Sequence, residues 1–221
     1  MIIFDCDGVL VDSEIISNQA DADALTRLGY PITAAEMIRR FIGWPKRDIW
    51  AQIARERGAP FPDGVLAAVE ADIKSRYRAS LEAIPGVAEA VRAVGAPRCV
   101  ASSSEMVKLR LALEVAGLLD LFDPNIFSAS QVPRGKPAPD LFLFAASAMG
   151  VAPADCVVVE DSRAGVDAAV AAGMRVIGFT GGSHSFPGHA EALRSAGAGC
   201  VIASMQQLAA TVREIRRRRG V

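Results

Sequence analysis

The sequence predicts an α/β fold in which a parallel sheet, covered on both faces, is interrupted after its first strand by an all-helical insertion. Three observations predict it. A short apolar strand at residues 2–5 opens the chain and ends in the acidic turn Asp5-Cys6-Asp7-Gly8. Residues 14–79 then carry helical periodicity throughout. From Ile84-Pro85-Gly86 onward, short apolar runs alternate with helical stretches, the pattern of right-handed βαβ units.

Within the insertion, helices are predicted over 14–28, 33–41, 46–57 and 63–79. They are separated by the breakers Gly29, Pro31, Gly43, Pro45, Gly58, Pro60 and Pro62. Beyond it, strands are predicted at 98–101, 125–127, 156–159, 175–178 and 200–202. Helices are predicted at 86–95, 104–116, 138–149, 163–172, 188–196 and 205–217. No crossover helix of the later kind follows the first strand, so the chain divides into an α/β domain of residues 1–13 and 80–221 and a helical domain of residues 14–79. A chain of 221 residues can bury both cores.

Composition narrows the function classes. The formal net charge is −1, so no global field attracts nucleic acid or an anionic membrane. The run Arg216, Arg217, Arg218 and Arg219 reads as a solvated helix end or frayed tail, with Arg favoured by the helix dipole, and otherwise as a local nucleic-acid or lipid contact. Cys6, Cys99, Cys156 and Cys200 form no CxxC pair and mostly adjoin apolar runs, so they read as buried thiols rather than a disulfide frame or zinc site. The start MIIFDCDG lacks a basic region and a long apolar stretch, and no run approaches the ~20 apolar residues that span a bilayer. These features predict a cytoplasmic protein without membrane or nucleic-acid partners.

In open α/β sheets, ligands bind beyond the carboxyl ends of the strands. Asp5 and Asp7 follow the first strand. Ser102, Ser103 and Ser104 follow the second, a loop with Arg134 and Lys136 follows the third, and Glu160 and Asp161 follow the fourth. Topology brings these loops to one edge. Clustered carboxylates repel and raise one another's pKa values unless a cation offsets them. Mg²⁺ prefers oxygen ligands and leaves room for phosphate. Asp5 is then a candidate nucleophile of the aspartyl-phosphate kind. Lys136 and Ser102 are candidates to stabilise the transferring group. Asp7, two residues on, shares a face with Asp5 if the chain stays extended, and can move protons.

Each residue also has a structural reading. Asp5 and Asp7 can be turn formers before Gly8. Ser102 with Glu105 has the form of a helix capping box, and Glu160-Asp161-Ser162 can cap the helix that follows. Lys136 can be a solvated loop lysine. His184 and His189, the only histidines, read as surface-loop residues of a glycine-rich stretch. The specificity lies in the conjunction of four sites, each after a different strand, in order.

Those segments resemble the signatures of the haloacid dehalogenase-like hydrolases. Asp5-Cys6-Asp7-Gly8-Val9-Leu10-Val11-Asp12-Ser13 resembles the first, Val100-Ala101-Ser102-Ser103-Ser104 the second, and Gly135-Lys136-Pro137 the third. Val158-Val159-Glu160-Asp161-Ser162 with Gly165 resembles the fourth. The resemblance implies a Rossmann-like core with an inserted helical cap that closes over the site. It implies Asp5 as the phosphorylated nucleophile, Asp7 as general acid/base, and Ser102 and Lys136 as phosphate ligands. It further implies Mg²⁺ held by Asp5, the Asp7 carbonyl and Asp161, with Glu160 near or on the metal, and Cys6 turned away.

Within the family, Asp7 argues against dehalogenation. The β-phosphoglucomutase branch has a histidine four residues after the hydroxyl that closes the first motif, where this chain has Ser17 after Ser13. Serine does not titrate near neutral pH. The expectation is therefore a phosphatase of sugar or sugar-acid phosphates, acting on a small phosphorylated metabolite as a monomer or weak homodimer. The alternatives are a phosphosugar mutase and a non-catalytic phosphometabolite-binding protein. Substrate choice is expected from the loop Gly43-Trp44-Pro45-Lys46-Arg47 and from Ser103. Lys46 or Arg47 can meet a carboxylate or second phosphate, or can be solvent-facing charges opening a helix. Trp44 is a candidate for packing inside the cap.

Overall fold

The computed structural model describes residues 1–41, 44 and 46–217. Gly43 and Pro45 of the expected specificity loop, and Arg218 and Arg219 of the basic run, lie outside the described residues.

Six strands, β1 (Ile2–Phe4), β2 (Arg98–Ser102), β3 (Ile126–Ser128), β4 (Val157–Glu160), β5 (Arg175–Phe179) and β6 (Cys200–Ile202), form one sheet of order β3-β2-β1-β4-β5-β6. Every pairing is parallel. Strand β1 sits centrally, with Phe4 level with Val100 on one side and Val159 on the other. The chain builds outward from β1 through β2 to β3, then returns beside β1 as β4. The crevice at the carboxyl ends of β1 and β4 is therefore the switch point of the fold.

Alternation of side chains across the sheet produces two buried layers. Ile2, Phe4, Val100, Val157 and Val159 face one layer. Ile3, Cys99, Ala101 and Val158 face the other. The first layer is closed by α5 (Val87–Val94), α6 (Met106–Val115), α7 (Leu119–Phe122) and α11 (Leu208–Arg217). The second is closed by α8 (Asp140–Ala148), α9 (Arg163–Ala171) and α10 (His189–Ser195).

Among the described residues between β1 and α5 run four helices and no named strand: α1 (Glu14–Arg27), α2 (Ala34–Phe41), α3 (Lys46–Arg57) and α4 (Val65–Ser80). Their buried side chains, among them Leu25, Met37, Trp50, Ile53 and Ile73, continue the first apolar layer. The chain leaves and re-enters the sheet region along two adjacent segments, tied by Asp12 N to Glu82 O at 3.0 Å and Ile84 N to Leu10 O at 2.9 Å. Among the described residues no helix is long and apolar enough to cross a membrane.

Most predicted elements appear within two residues of their expected bounds. The helix expected from 205 instead opens with a 3₁₀ turn, Met205–Gln207, closed by a Ser204–Gln207 capping box. Helix α7 was not predicted; four residues are too few to show a period.

Candidate active site

Asp5 follows the last residue of β1. Its backbone N–H still donates to Val159 O at 3.0 Å, which carries the ladder one residue further and fixes Asp5 in the β1–β4 crevice. Its carboxylate is buried and accepts from Lys136 Nζ at 2.8 Å. The same ammonium reaches Glu160 Oε1 at 2.6 Å and lies 4.9 Å from the Phe142 ring centre. With its side chain only 3% exposed, Lys136 is a buried bridge between two carboxylates and not a solvated loop lysine.

Glu160 ends β4 and is fully buried. Its second oxygen, Oε2, accepts from Ser162 N at 2.9 Å and Ser162 Oγ at 3.0 Å. Ser162 Oγ in turn accepts from Gly165 N at 3.0 Å and caps α9, as the sequence suggested for this segment. Gly165 has no room for a side chain, since a Cβ there would lie 1.7 Å from Glu160 Oε1. Next in the chain, buried Asp161 holds Oδ2 at 2.9 Å from His184 Nε2. Gly8, with φ +76°, turns the chain directly after Asp7. A Cβ at Gly8 would lie 1.9 Å from Asp161 Oδ2, so both its backbone conformation and its lack of a side chain are required.

Asp5, Glu160 and Asp161 each offer an oxygen within 4.8 Å of the others, and all three are buried. Three carboxylates around one lysine leave excess negative charge, and an all-oxygen donor set suits a hard divalent cation. The residues present fit Mg²⁺.

Asp7 is anchored separately. Its Oδ1 accepts from Ser13 Oγ at 2.7 Å, and its Oδ2 from Ser104 Oγ at 2.7 Å and Ser102 Oγ at 3.3 Å. Tyr77 OH stands 3.5 Å from Asp7 Oδ1 and 2.9 Å from Ser17 Oγ. Ser102 does not form the anticipated capping box. Its hydroxyl accepts from Ser104 N at 3.0 Å and donates to Asp7, while Glu105 becomes the N-cap of α6 without a side-chain cap bond. Cys6 turns into the apolar core, as expected.

These groups open on a cavity of about 890 Å³. Its sheet side carries Asp5, Asp7, Ser102, Ser103, Lys136, Glu160 and Asp161, and its helical side carries Trp44, Lys46, Arg47 and Glu70. Lys46 lies 3.0 Å from both Asp21 Oδ2 and Glu70 Oε1, so its charge is engaged rather than solvent-facing. Arg47 and Ser103 are exposed at the cavity wall. Trp44 is 49% exposed and touches Phe41 edge-on at 5.8 Å, so it does not fill the helical core. That place belongs to Trp50, which packs on Phe61 and donates from Nε1 to buried Asp21 at 2.8 Å.

Burial pushes the Asp5 carboxyl well above its usual range; Lys136 pulls it down, while Glu160, Asp161 and Asp7 add to the rise. For Asp7, burial raises the pKa, but the Lys108 charge and the hydroxyls of Ser13, Ser104 and Ser102 outweigh it and hold the group below its ordinary value. Burial, with Asp161 and Asp7 nearby, pushes half-buried Glu14 to about 7. Burial lowers the His184 pKa, but the hydrogen bond and charge of Asp161 overcome this and raise it. Burial lowers that of His189.

Sequence reading missed Lys108, His184, Glu14 and Ser17, all of which line the cavity. The surface-loop assignment of the histidines is wrong. His184 is 6% and His189 3% exposed, because both rings pack against Asp161. The rule that located the other groups also points to the loop after β5, where Gly181-Gly182-Ser183-His184 stands. Lys108 is the third residue of α6, in the first turn of the helix that opens just after the Ser102–Ser104 loop, and so stands near the same opening.

A family model described as haloacid dehalogenase-like hydrolase matches residues 1–173. The 6-phosphogluconate phosphatase of Escherichia coli strain K12 is 33% identical over 187 residues, which cover 84% of this chain and 85% of that one. A conserved haloacid dehalogenase-like protein of unknown function from Agrobacterium tumefaciens has a crystal structure 45% identical, with a TM-score of 0.89 and coverage of 97% and 98%. A family hydrolase from Deinococcus radiodurans, crystallised with bound phosphate and sodium, is 37% identical with a TM-score of 0.80, covering 96% of this chain and 94% of that one.

Proposed function

The chain belongs to the haloacid dehalogenase-like hydrolase family, and on that premise we propose that it hydrolyses phosphate monoesters of small sugars or sugar acids through a phosphorylated Asp5. That it is a phosphatase follows from the family together with the named phosphatase it resembles over most of its length. The observation that carries the finer reading is the buried Asp5–Lys136–Glu160 bridge beside Asp161, opening on the cavity.

Asp5, Asp161, Glu160 and the Asp7 carbonyl would hold Mg²⁺, which would keep the carboxylates ionised and offset charge on the transferring phosphoryl group. Lys136 and Ser102 bind phosphate oxygens. A carboxylate oxygen of Asp5 attacks phosphorus as the ester P–O bond breaks, and Asp7 gives a proton to the leaving alcohol oxygen. Water then transfers a proton to Asp7 and attacks the same phosphorus. The bond to Asp5 breaks, inorganic phosphate leaves, and both aspartates return to their starting states. The arriving phosphate, a negative charge beside Asp7, raises the pKa of Asp7 towards the protonated form the first step uses.

Residues 14–79 act in this reading as a cap that admits substrate by moving over the residues 1–13 and 80–221 core. Ser103, Lys46 and Arg47 contact the non-phosphate part of the substrate. The enzyme works in the cytoplasm as a monomer or weak homodimer, in keeping with the buried thiols Cys6, Cys99 and Cys156. Hydrolysis is favoured over phosphosugar exchange because Ser17, in the place of the mutase histidine, is tied to Tyr77 OH.

The test is phosphate release from a panel of phosphorylated sugars and sugar acids, with and without Mg²⁺, by the parent and by Asp5→Asn. Turnover that needs Mg²⁺ and falls below about a tenth of the parent rate in the variant is expected. Acid-stable mass labelling on Asp5 during turnover accompanies it. Retained activity in Asp5→Asn refutes the nucleophile. Exchange between glucose 1- and 6-phosphates with a bisphosphate activator, without net phosphate release, refutes hydrolysis.

A further inference from the structure

Both histidines of the chain are spent on one aspartate. His184 Nε2 lies 2.9 Å from Asp161 Oδ2, and His189 Nε2 lies 2.6 Å from the Asp161 backbone oxygen. Ser185 Oγ, 2.9 Å from His189 Nδ1, fixes the second ring from behind. An imidazole that meets a carboxylate through Nε2 and a ring that meets a carbonyl through Nε2 both serve as donors there. Asp161 is thus gripped at its side chain and at its main chain by one loop, the segment between β5 and α10.

The slot around His184 is built for the ring. A Cβ at Gly8 would stand 2.8 Å from His184 Cε1, and one at Gly182 would stand 2.7 Å from both Cε1 and Nδ1. Glycines from two segments far apart in the sequence therefore both line the ring, and the first of them belongs to the acidic turn that carries Asp5 and Asp7. Among the described residues, Nδ1 of His184 has no hydrogen-bond partner. The ring's polar anchoring is thereby concentrated on Asp161.

We infer that His184 is a positioning residue that holds the Asp161 carboxylate in the rotamer needed to join Asp5 and Glu160 around a divalent cation. The inference rests on the metal reading given above. One oxygen of Asp161 is held by the imidazole, which fixes the plane of the carboxylate and presents the other oxygen in a set orientation. Without that grip the carboxylate can rotate about its side-chain torsions, and an entropic cost is added to each binding event. His189 supports the same residue through its backbone and sets where the side chain starts.

The test is isothermal titration calorimetry of Mg²⁺ into the folded parent, His184→Ala, His184→Gln and Asp161→Asn, with circular dichroism and thermal melting of each. Gln carries an amide donor close to the place of Nε2 and is the conservative replacement. His184→Ala is expected to weaken Mg²⁺ binding by about 10- to 100-fold, and His184→Gln to recover most of the loss. The KM for a phosphate ester at saturating Mg²⁺ stays near the parent value, while the Mg²⁺ concentration giving half-maximal rate rises. Undiminished Mg²⁺ affinity in folded His184→Ala overturns the inference, as does a Gln variant no better than Ala. If neither variant folds, His184 is a structural residue and the inference falls. Undiminished affinity in Asp161→Asn overturns the metal reading itself, whatever the histidine variants do.

Discussion

Gly165→Ala tests how tightly the site and the fold are joined. The new Cβ would stand 1.7 Å from Glu160 Oε1, 2.0 Å from Cδ and 2.5 Å from Oε2. Carbon and oxygen need more than about 3 Å, so the carboxylate must retreat by roughly 1.5 Å or more. It has nowhere to retreat while keeping its partners. Oε1 is fixed by Lys136 at 2.6 Å, and Oε2 by Ser162 N and Oγ at 2.9 and 3.0 Å. Breaking a buried ion pair costs about 3–5 kcal/mol. Alanine in place of glycine within a helix returns about 1 kcal/mol, which leaves a net loss of about 2–4 kcal/mol. For a chain of this size the melting temperature should fall by roughly 5–15 °C.

Two comparisons isolate the cause. Gly135→Ala, beside Lys136, places its Cβ at an ordinary 3.6 Å from the Ala129 Cβ; stability should change by no more than about 0.5 kcal/mol. Glu160→Asp, added to Gly165→Ala, draws the carboxylate back by one methylene and should restore part of the loss, with a coupling energy of about 1–3 kcal/mol in a double-mutant cycle. Urea denaturation followed by circular dichroism measures all five proteins: the parent, Gly135→Ala, Gly165→Ala, Glu160→Asp and the double variant. A Gly165→Ala protein as stable as the parent, or a cycle with no coupling, refutes the collision argument.

Two further outcomes concern the helical insertion. Trp50→Phe removes the donor to Asp21 Oδ1 and leaves a buried carboxylate oxygen short of a partner; urea midpoints should show a loss of about 1–3 kcal/mol, and an unchanged midpoint contradicts the role given to this bond. Hydrogen bonds from Arg40, Tyr30 and Gln52 hold the Glu56 carboxyl at about 2. A carboxyl lowered on folding contributes stability above its unfolded pKa of about 4.3 and loses it as pH falls through its folded value. Acid titration of the urea midpoint from about pH 5 to 2 should therefore be shallower in Glu56→Gln than in the parent, by less than about 1 kcal/mol because the pair is partly solvated. Parallel curves would show that the contact contributes nothing.

The fold was legible because its signals are periodic. Ile2 to Phe4, Cys99 to Ala101 and Val157 to Val159 alternate between two buried layers, and the helices between them are long enough to repeat. The acidic groups were legible because they stand directly after such strands. Burial was not. Lys136 between Gly135 and Pro137 reads like a surface lysine, and only the convergence of two distant strand ends shows that its ammonium is enclosed. His184 was hidden for a related reason: a glycine-rich segment has the composition of a loop, yet here the glycines are walls against an imidazole. Ser102 and Glu105 have the spacing of a helix cap, but the Ser102 hydroxyl is taken by Asp7 from the turn after β1, and local preference yields to that contact.

The same convergence determines which substitutions report on chemistry and which on folding. Lys136 is enclosed with two carboxylates, and a buried ammonium keeps its charge only while anions face it. Asp5→Asn removes one of those anions but leaves Glu160 at 2.6 Å, so the lysine stays paired and the amide oxygen can still accept from it. Lys136→Ala is different in kind. It leaves Asp5 and Glu160 buried beside Asp161 without their shared cation, a repulsive arrangement that the protein can relieve only by binding protons, taking up a metal ion or opening. Loss of turnover in Asp5→Asn therefore reads the reacting atom, whereas loss in Lys136→Ala mixes the reaction with the stability of the crevice that houses it.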